Sequence, residues 1–393
     1  MDRPAHIFLS VAEDSADVHA AALVRAAAEH LPGCRFSGLT GPRLRALGVR
    51  TLYDLTSHAA ILGGVVSVVG HAWRALHAVK RAWKSDPPDL VVLLDSPELN
   101  LKIARAAKRR GFRVLYYIAP QTWAARAYRN RQLARDVDRL ACILPFEEAY
   151  FRRHLIYADY VGHPLFETLR QQTPNESVVR RLRSGGAPVV ALLPGSRRHV
   201  IDAMLPLQLE VVRRLRAAGR AVEPVVSSVA ADRVPQIRRH VYAGGFAAEI
   251  VTADNASLLT AAELALVASG TATLEVAYHR KPMVVMYDAG PLLRLPHRLL
   301  GCFVLKMPHL ALVNILAETR VVPEFMPFIP DVTPIATVAG QLLRDETWRR
   351  VMVRQLDELV RPLESSRASA AVCGIIADLT GRRRRASGAN NGL

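Results

Sequence analysis

The sequence predicts an α/β protein of two Rossmann-like domains, each with a parallel β-sheet flanked by helices. Continuous apolar segments such as 89–95 (DLVVLLD) and 189–194 (VVALLP) are typical of strands buried on both faces of a parallel sheet. Strand-like and helix-like segments alternate in both halves, as in repeated β–α–β units. A polar segment rich in Gly, Pro and Arg, 171–188, separates the halves. A length of 393 residues also suits two domains.

The elements of the first half follow from apolar pattern and helix-ending residues. The helix through 101–111 ends at Gly111, a residue favoured at helix C-termini. The predicted strands are 6–12, 34–41, 89–95, 113–120 and 139–146, and the predicted helices are 19–31, 70–85 and 101–111.

The second half repeats the alternation, with strands at 189–194, 221–229, 247–253, 263–269 and 282–287. Because parallel strands end at one edge of a sheet, we expect the carboxyl ends of both sheets to face a central cleft that holds the ligand. The predicted division is an N-terminal domain at 1–170, a C-terminal domain at 171–344, a helical segment at 345–378 packing back on the N-terminal domain, and a disordered basic tail at 379–393.

Composition narrows the class of partner. The net charge of +17 favours anionic partners, whereas the aromatic content of 6% and the absence of a nucleic-acid-binding motif argue against nucleic acid. The four cysteines are far apart, which predicts buried thiols in a reducing compartment. The apolar start is short and is followed by acidic residues, so it predicts a first strand and a cytoplasmic protein. The sequence indicates no oligomeric state.

The corner that follows strand 189–194 predicts an anion site. A helix N-terminus offers unpaired N–H groups and the positive end of a dipole. Gly195 allows close approach of the backbone, Ser196 can donate a hydrogen bond, and Arg197 can pair with a phosphate in a bidentate fashion. The alternative is an ordinary strand-to-helix turn with surface arginines.

A second corner at 264–287 repeats this logic. Ser269, Gly270 and Thr271 lie at a helix start and suit a pyrophosphate. Glu275, one turn later, suits the hydroxyls of a ribose, and the alternative is a capped helix with one exposed Glu. Two such corners in one domain predict a nucleotide site. No P-loop lysine pattern or GxGxxG occurs, which argues against an ATPase and an NAD enzyme.

Acidic residues end two strands of the first domain. Asp95, at the carboxyl end of strand 89–95, is the candidate general base, with a helix cap as the alternative. Glu13, Ser15 and Asp17 follow the first strand and either cap the next helix or hold substrate hydroxyls. The pair Asp136 and Asp138 lies between arginines and reads as solvated surface, so we expect no metal.

The segment 61–85 combines an apolar patch with basic residues and tryptophans, which predicts a segment that lies in the headgroup layer of an anionic membrane. The alternative is an amphipathic helix packed on its own domain. The predicted membrane contacts are Val65, Val66, Val68, Val69, Trp73, Arg74, Leu76 and Lys80.

These motifs, taken in order, resemble those of the lipid-A-disaccharide synthase family, glycosyltransferases of the two-Rossmann (GT-B) type. The resemblance runs nearly end to end. The matching segments are AEDSAD (12–17), GPRLRALG (41–48), LLDSPELN (93–100), YYIAPQTWAAR (116–126), ILPFEEAYF (143–151), VGHP (161–164), LLPGSR (192–197), ASGTATLE (268–275), KPMVVMY (281–287) and LVNILAETRVVPEFM (312–326).

The resemblance implies a reaction that joins UDP-2,3-diacylglucosamine to 2,3-diacylglucosamine 1-phosphate. It forms a β-1,6 disaccharide and releases UDP, with inversion and without metal or cofactor, at the inner face of the cytoplasmic membrane. UDP would lie on the 195–197 and 269–275 corners, with Asn314 and Arg320 reaching the donor or the cleft. Asp95 would activate the acceptor hydroxyl. The resemblance also places Gln121, Trp123 and His163 at the acceptor or the cleft.

The chain departs from the family pattern at the first corner. The family pattern there is Gly-Glu-x-Ser-Gly-Asp, and Ala12 and Ala16 replace its two glycines. Alanine does not easily take a positive φ, so we expect a shifted backbone at this corner. The alternatives are a paralogue that acts on another UDP-sugar, such as an epimerase, and a non-catalytic nucleotide-sugar-binding protein at the membrane.

Overall fold

The computed structural model describes residues 4–54, 65–288 and 308–381, and for 65–69 it describes only the backbone. These residues form two compact units. Unit 1 contains the described residues up to Pro164 together with those from Ser366 onward, and unit 2 is Leu165–Ser365. The chain therefore passes between the units twice.

The described part of unit 1 is built on a seven-stranded parallel sheet in the order β3-β2-β1-β4-β5-β6-β7. Its central strands consist of continuous apolar residues, as the sequence predicted. The strands are β1 His6–Ser10, β2 Arg35–Leu39, β3 Arg50–Tyr53, β4 Leu90–Leu94, β5 Arg113–Tyr117, β6 Arg139–Cys142 and β7 Ala158–Tyr160.

Helices cover this sheet and connect its strands. They are α1 Asp14–His30, α2 Pro42–Ala46, α3 Val65–Ser85, α4 Pro97–Lys108, α5 Asn130–Asp136 and α6 Pro145–Arg153, with a 3₁₀ turn at Ala127–Arg129. Alternate residues of β4 enter separate cores: Val91 packs in one cluster, and Leu90 and Val92 pack in the other. Burial on both sides explains why this strand shows no alternation of apolar and polar residues.

Unit 2 has a six-stranded parallel sheet among its described residues, in the order β10-β9-β8-β11-β12-β13. The strands are β8 Val189–Leu193, β9 Glu223–Ser228, β10 Glu249–Thr252, β11 Leu264–Ala268, β12 Met283–Met286 and β13 Glu324–Phe325. The helices are α7 Pro164–Arg170, which begins at the last residue of unit 1, α8 Glu176–Arg183, α9 Arg198–Ala217, α10 Val234–Ala243, α11 Asn255–Ala261, α12 Ala272–Tyr278, α13 Leu312–Ala317, α14 Thr333–Arg344 and α15 Glu346–Glu364, with a 3₁₀ turn at Ala231–Arg233.

The two sheets have the same topology. In each unit the first three strands follow one another in one direction across the sheet, and the next strand is added on the opposite side of the first one. This reversal lies between β1 and β4 in unit 1 and between β8 and β11 in unit 2. At such a topological switch point the following loops diverge and leave room for a ligand. At each reversal the two strands stay paired up to the corner: Ser10 of β1 lies opposite Leu93 of β4, and Leu193 of β8 lies opposite Val267 of β11. The predicted pair of Rossmann-like parallel sheets is confirmed.

The units divide at positions that differ from the sequence-based boundaries. The boundary at 170 is too late, because Phe166 and Leu169 are buried in the core of unit 2. The helical segment 345–378 packs on the N-terminal domain only in its second part. It divides into α15, which packs in unit 2, and α16 Ala368–Thr380, which packs on α1 of unit 1. The tail beyond 381 lies outside the described residues.

Candidate active site

The backbone at the end of β4 adopts an unusual conformation at Asp95 and Ser96. Asp95 and Ser96 have φ values of 50° and 44°, in the left-handed region that residues other than glycine rarely adopt. Each such residue costs on the order of 1–3 kcal/mol and persists only where its surroundings hold it. The Asp95 side chain is half-buried, and we infer that contacts within unit 1 hold the backbone at this residue.

Three buried side chains hold this corner. The Asn100 amide donates to the carbonyl oxygens of Leu94 (2.9 Å) and Asp95 (2.7 Å) and accepts from Ser10 Oγ at 2.6 Å. The Tyr116 hydroxyl donates to the same Asp95 carbonyl at 2.7 Å. The corner is thus fixed from α4, β1 and β5. Asn100, Tyr116 and Ser10 were missed as site residues, although Asn100 ends the LLDSPELN segment.

Glu13 comes from the neighbouring corner, after β1. Its carboxylate Oε1 lies 3.5 Å from Ser96 Oγ, so the switch point brings Glu13 and the Asp95 corner together, while Ser15 is exposed on the first turn of α1. Neither Ala12 nor Ala16 has a positive φ, and Ala16 is a buried residue of α1. The expected backbone shift is therefore not needed, because alanine fits both positions.

Asp17 has a structural role that the sequence left as one of two alternatives. Its side chain is fully buried, and its carboxylate accepts from the backbone N–H groups of Gly41 (3.1 Å), Arg43 (2.8 Å) and Leu44 (3.3 Å). It therefore caps the start of α2, not of its own helix. The prediction that it lies among acceptor or cleft residues is corrected, because its oxygens are used inside unit 1.

The loop after β5 contains two further predicted acceptor residues. Gln121 is exposed on it. The Trp123 indole N–H donates to Glu147 Oε1 at 2.9 Å, and its ring meets Phe146 edge to face with centroids 5.0 Å apart. Burial raises the pKa of the Glu147 carboxyl to about 7, although Trp123 and two backbone N–H groups at 143–144 oppose this change. Trp123 thus anchors the loop, and Gln121 remains the acceptor candidate.

His163 is buried beside His19 of α1. Burial, followed by the proximity of His19, lowers the pKa of His163 to about 3, and burial lowers the pKa of His19 to about 4. Both imidazoles are therefore neutral at pH 7. His163 offers no positive charge to a phosphate, so we leave it out of the proposed acceptor contacts.

In unit 2 the corner after β8 is a strand-to-helix turn that contains a glycine. Gly195 has a φ of 103°, and a Cβ there would lie 2.9 Å from Val200 Cγ1, so glycine is required. Ser196 and the helix cap Arg197 are exposed at the start of α9, which is 20 residues long. The Arg233 guanidinium, missed from the sequence, donates to the Ser196 carbonyl at 3.2 Å. The corner is therefore basic and open.

The second corner of unit 2 adjoins the first. A Cβ at Gly195 would lie 3.8 Å from the Cβ of Ala268, which is the last residue of β11 before Ser269. Gly270 has a φ of 143°, and Gly270 and Thr271 are exposed. Because α12 has seven residues, its dipole adds little. Donor groups of this corner, not a helix charge, would bind an anion.

Glu275 is held in place by a chain of polar side chains. Its Oε2 accepts from Asn255 Nδ2 at 3.0 Å, and Asn255 Oδ1 accepts from Ser227 Oγ at 2.6 Å. Burial raises the pKa of the Glu275 carboxyl, which the bond from Asn255 partly offsets. Asn255 and Ser227 were missed from the sequence, since Ser227 lies within β9, Asn255 follows β10, and neither belongs to a recognised motif.

Two predicted donor residues lie farther along unit 2. Asn314 is fully buried, and its amide both donates to and accepts from the backbone of Val322 at 2.9 Å. This pairing ties α13 to the segment after it, so we omit Asn314 from the proposed donor contacts. Arg320 is exposed and donates to the Glu324 carbonyl at 3.0 Å.

Residues 65–85 of the predicted membrane segment form α3, and residues 61–64 lie outside the described residues. Trp73 is 63% exposed and stacks on His77, and Arg74 is also exposed. Leu76 packs against the core of unit 1, so its prediction as a membrane contact is corrected. Lys80 is half-buried. The side chains of Val65, Val66, Val68 and Val69 lie outside the described residues.

The acidic pair Asp136 and Asp138 is engaged in structural contacts. Asp136 pairs with Arg135, and Asp138 accepts from Lys108 Nζ at 2.6 Å and from the Val114 N–H at 2.7 Å. Over residues 4–54, 65–288 and 308–381 we find no group of three or more His, Cys, Asp or Glu side chains arranged to hold a metal ion. In the same ranges no helix has the length and apolarity to cross a membrane.

Two parallel-sheet units with polar corners at both switch points define the GT-B class, which includes glycosyltransferases and epimerases. A glycosyltransferase from Rickettsia africae has this fold, with 9% identity, a TM-score of 0.56 and coverage of 97% of this chain and 100% of that one. A UDP-GlcNAc 2-epimerase from Neisseria meningitidis, bound to UDP-GlcNAc, shares it with 11% identity, a TM-score of 0.63 and coverage of 95% and 100%.

Sequence similarity distinguishes between a glycosyltransferase and an epimerase. The profile of the family described as lipid-A-disaccharide synthetase matches residues 7–375. The lipid-A-disaccharide synthase of Geobacter sulfurreducens is 32% identical over 384 residues, which is 96% of this chain and 98% of that protein. The chain belongs to the lipid-A-disaccharide synthetase family. The predicted family and enzyme class, a glycosyltransferase, are confirmed.

Proposed function

We propose that this chain condenses UDP-2,3-diacylglucosamine with 2,3-diacylglucosamine 1-phosphate into a β-1,6 disaccharide 1-phosphate, with inversion and release of UDP. Family membership supports glycosyl transfer. The observation that carries the finer proposal is the difference between the two switch points. The corner of unit 2 is basic and rich in hydrogen-bond donors, and the corner of unit 1 is acidic. These are the groups that a nucleoside diphosphate and an attacking hydroxyl require.

Unit 2 is the proposed donor site. The diphosphate would bind at Gly195–Arg197, where α9 directs its first N–H groups and Arg197 adds a full positive charge. Ser269, Gly270 and Thr271 would donate to the same group from the adjoining corner. Glu275, fixed by Asn255, would accept from the ribose hydroxyls. Arg320 is retained as a second donor contact.

Unit 1 is the proposed acceptor site, with Asp95 as the general base. The Asp95 carboxylate takes the proton of the acceptor 6-hydroxyl while O6 attacks the anomeric carbon of the donor. The bond from this carbon to the diphosphate oxygen breaks, and UDP departs with the electron pair. A nucleoside diphosphate is a good leaving group, and the positive corner of unit 2 stabilises its growing charge. Glu13, Ser15 and Gln121 would hold acceptor hydroxyls.

We further propose peripheral attachment to the inner face of the cytoplasmic membrane through α3. Trp73 and Arg74 are exposed together, which suits a headgroup layer with anionic lipids, and Lys80 lies one to two turns further along. Sedimentation with vesicles of phosphatidylglycerol tests this: Trp73→Ala combined with Arg74→Ala should reduce vesicle binding, and Arg25→Ala on α1 is the control. Equal binding of both variants would contradict it.

The reaction is tested with purified protein, both acylated substrates, detergent and EDTA. Mass spectrometry should detect the disaccharide phosphate and UDP. Parallel samples with the UDP-sugar alone would reveal an epimerase, and saturable UDP binding without turnover would indicate a binding protein. Asp95→Asn should lower kcat by at least about 10²-fold with unchanged UDP affinity, whereas Asp14→Asn, on the exposed side of α1, should not. Near wild-type turnover of Asp95→Asn would exclude it as the base.

A further inference from the structure

A concave site of about 340 Å³ lies beside the Asp95 corner in unit 1. It begins two residues after Asp95, at Pro97 and Glu98, and continues along the loop after β5. A sugar whose hydroxyl meets Asp95 would therefore have room for a substituent here. The remaining lining residues are Pro120, Gln121, Thr122, Ala124, Ala125, Arg126 and Arg129.

Among the described residues that line this concavity, the charged side chains form one cluster. Arg126 Nη1 and Arg129 Nη2 both donate to the same oxygen of Glu98, Oε1, at 2.6 Å and 2.9 Å. Two guanidinium groups against one carboxylate leave one net positive charge. Glu98 is 65% exposed, so the carboxylate that joins the two arginines is itself open to solvent. Pairs of this exposure contribute little to stability.

The loop that carries the two arginines is anchored on both sides. Before them, the Thr122 hydroxyl donates to Asn130 Oδ1 at 2.6 Å, and Trp123 donates to Glu147 at 2.9 Å. After them, the Asn130 amide donates to the Tyr150 hydroxyl at 2.9 Å. Buried polar contacts thus hold in one geometry a basic pair in which Arg126 is exposed and Arg129 is only 13% exposed, which lowers the entropy cost of binding an anion there.

We propose that Arg126 and Arg129 bind the phosphate monoester of the acceptor sugar, and that Glu98 holds the two guanidinium groups together before the phosphate binds. The inference rests on the proposed function, because only the acceptor carries a phosphate monoester. A phosphate has three acceptor oxygens and about two negative charges, so it can take a bidentate pair from each guanidinium, whereas Glu98 accepts one N–H from each.

Equilibrium binding in detergent micelles tests this with two probes, 2,3-diacylglucosamine 1-phosphate and the same lipid without its phosphate. Arg129→Ala and Arg126→Ala should each weaken binding of the phosphorylated probe by about 10- to 100-fold and leave the unphosphorylated probe within about twofold. Arg131→Ala, an exposed neighbour outside the concavity, is the matched control. Glu98→Gln should tighten binding of the phosphorylated probe several-fold, since a like charge is removed. A cluster that only stabilises the fold cannot produce that gain.

Equal binding of the phosphorylated probe by wild type, Arg126→Ala and Arg129→Ala would overturn the inference, as would equal loss for both probes. A thermal unfolding scan of each variant shows whether a loss reflects misfolding, and Arg129→Lys then replaces Arg129→Ala. If these variants instead lose binding to phosphatidylglycerol vesicles and keep the probe, the pair binds membrane headgroups and the inference fails. Binding does not depend on turnover, so wild type that binds the probe but forms no disaccharide would refute only the proposed reaction.

Discussion

Replacement of Asp17 by alanine tests the structural role found for this residue. The substitution removes the acceptor of three backbone N–H groups at the start of α2. The bonds from Gly41 and Leu44 are buried, and a buried N–H without a partner costs about 1–3 kcal/mol. The N–H of Arg43 is only partly buried, so water can replace its bond. Two groups at about 1.5 kcal/mol each give a loss of about 3 kcal/mol.

Unfolding in urea, followed by tryptophan fluorescence, measures this loss. Trp73, Trp83 and Trp123 all belong to unit 1, and Trp83 is buried in its core, so the signal reports mainly the unit that Asp17 stabilises. In a thermal scan a loss of about 3 kcal/mol lowers Tm by about 6–12 °C for a unit of this size. Asp17→Asn keeps one acceptor oxygen, so we expect about half of the effect.

The matched control is Asp14→Ala, an exposed carboxylate in the first turn of the same helix. Loss of its interaction with the helix dipole should cost less than about 1 kcal/mol. The structural reasoning is refuted if Asp17→Ala unfolds like wild type but loses turnover by more than about 10²-fold. That result would return Asp17 to the substrate site.

Further predictions concern the two corners and a buried acid. Asn100→Ala should lower kcat by about 10- to 100-fold without changing UDP affinity in a titration, because Asp95 loses the clamp that fixes its backbone. Gly195→Ala should weaken UDP binding by about tenfold or more in calorimetry, since φ is 103° and the new Cβ meets a side chain at 2.9 Å, whereas Gly185→Ala, with open space around it, should not. The Glu147 carboxyl has a folded pKa near 7 and an ordinary value of 4.5, so between these values the folded state holds a proton that the unfolded state has lost. The free energy of unfolding should therefore fall as pH rises from about 5 to 7.5, by about 2–3 kcal/mol, and chemical denaturation of Glu147→Gln should show a flatter profile.

The sequence was sufficient for the central strands of both sheets and for the corners that follow β4 and β8, because apolar segments without alternation mark strands buried on both faces. It did not predict the short strands β3, β7 and β13, and the strand predicted at 139–146 ends at Cys142, before α6 begins. The residues at the corners after β4 and β8, including Asp95 and Gly195, were found from the apolar segments alone. The backbone conformation at Asp95 was not, because aspartate is only modestly enriched at positive φ and most aspartates do not adopt it. That conformation depends on Tyr116, which is 21 residues away along the chain.

Residues in the same motifs were harder to separate into structural and functional roles. Asp17 and Asn314 belong to segments that resemble the family, and both turn out to pair with backbone of their own unit. A sequence shows which residue follows a strand, but it does not show which N–H groups lie opposite its side chain. Gly41 is the partial exception: a Cβ there would lie 2.4 Å from Asp17 Cγ, so its glycine and Asp17 are two sides of one contact.

The glycines of the four corners support the proposed position of the diphosphate independently of charge. A phosphate that accepts from backbone N–H groups needs close approach and often a positive φ, which only glycine adopts at little cost. Gly195 and Gly270 have φ values of 103° and 143°, and both lie in unit 2. In unit 1 the family glycines are replaced by Ala12 and Ala16, at positions whose φ is not positive. Under the donor assignment proposed above, glycine is kept where a phosphate would approach the backbone, and alanine stands where the ligand would be a hydroxyl facing Glu13. If unit 1 held the diphosphate, these alanines would obstruct it. If the diphosphate binds in unit 2, as proposed, Ala12 and Ala16 do not interfere with its binding.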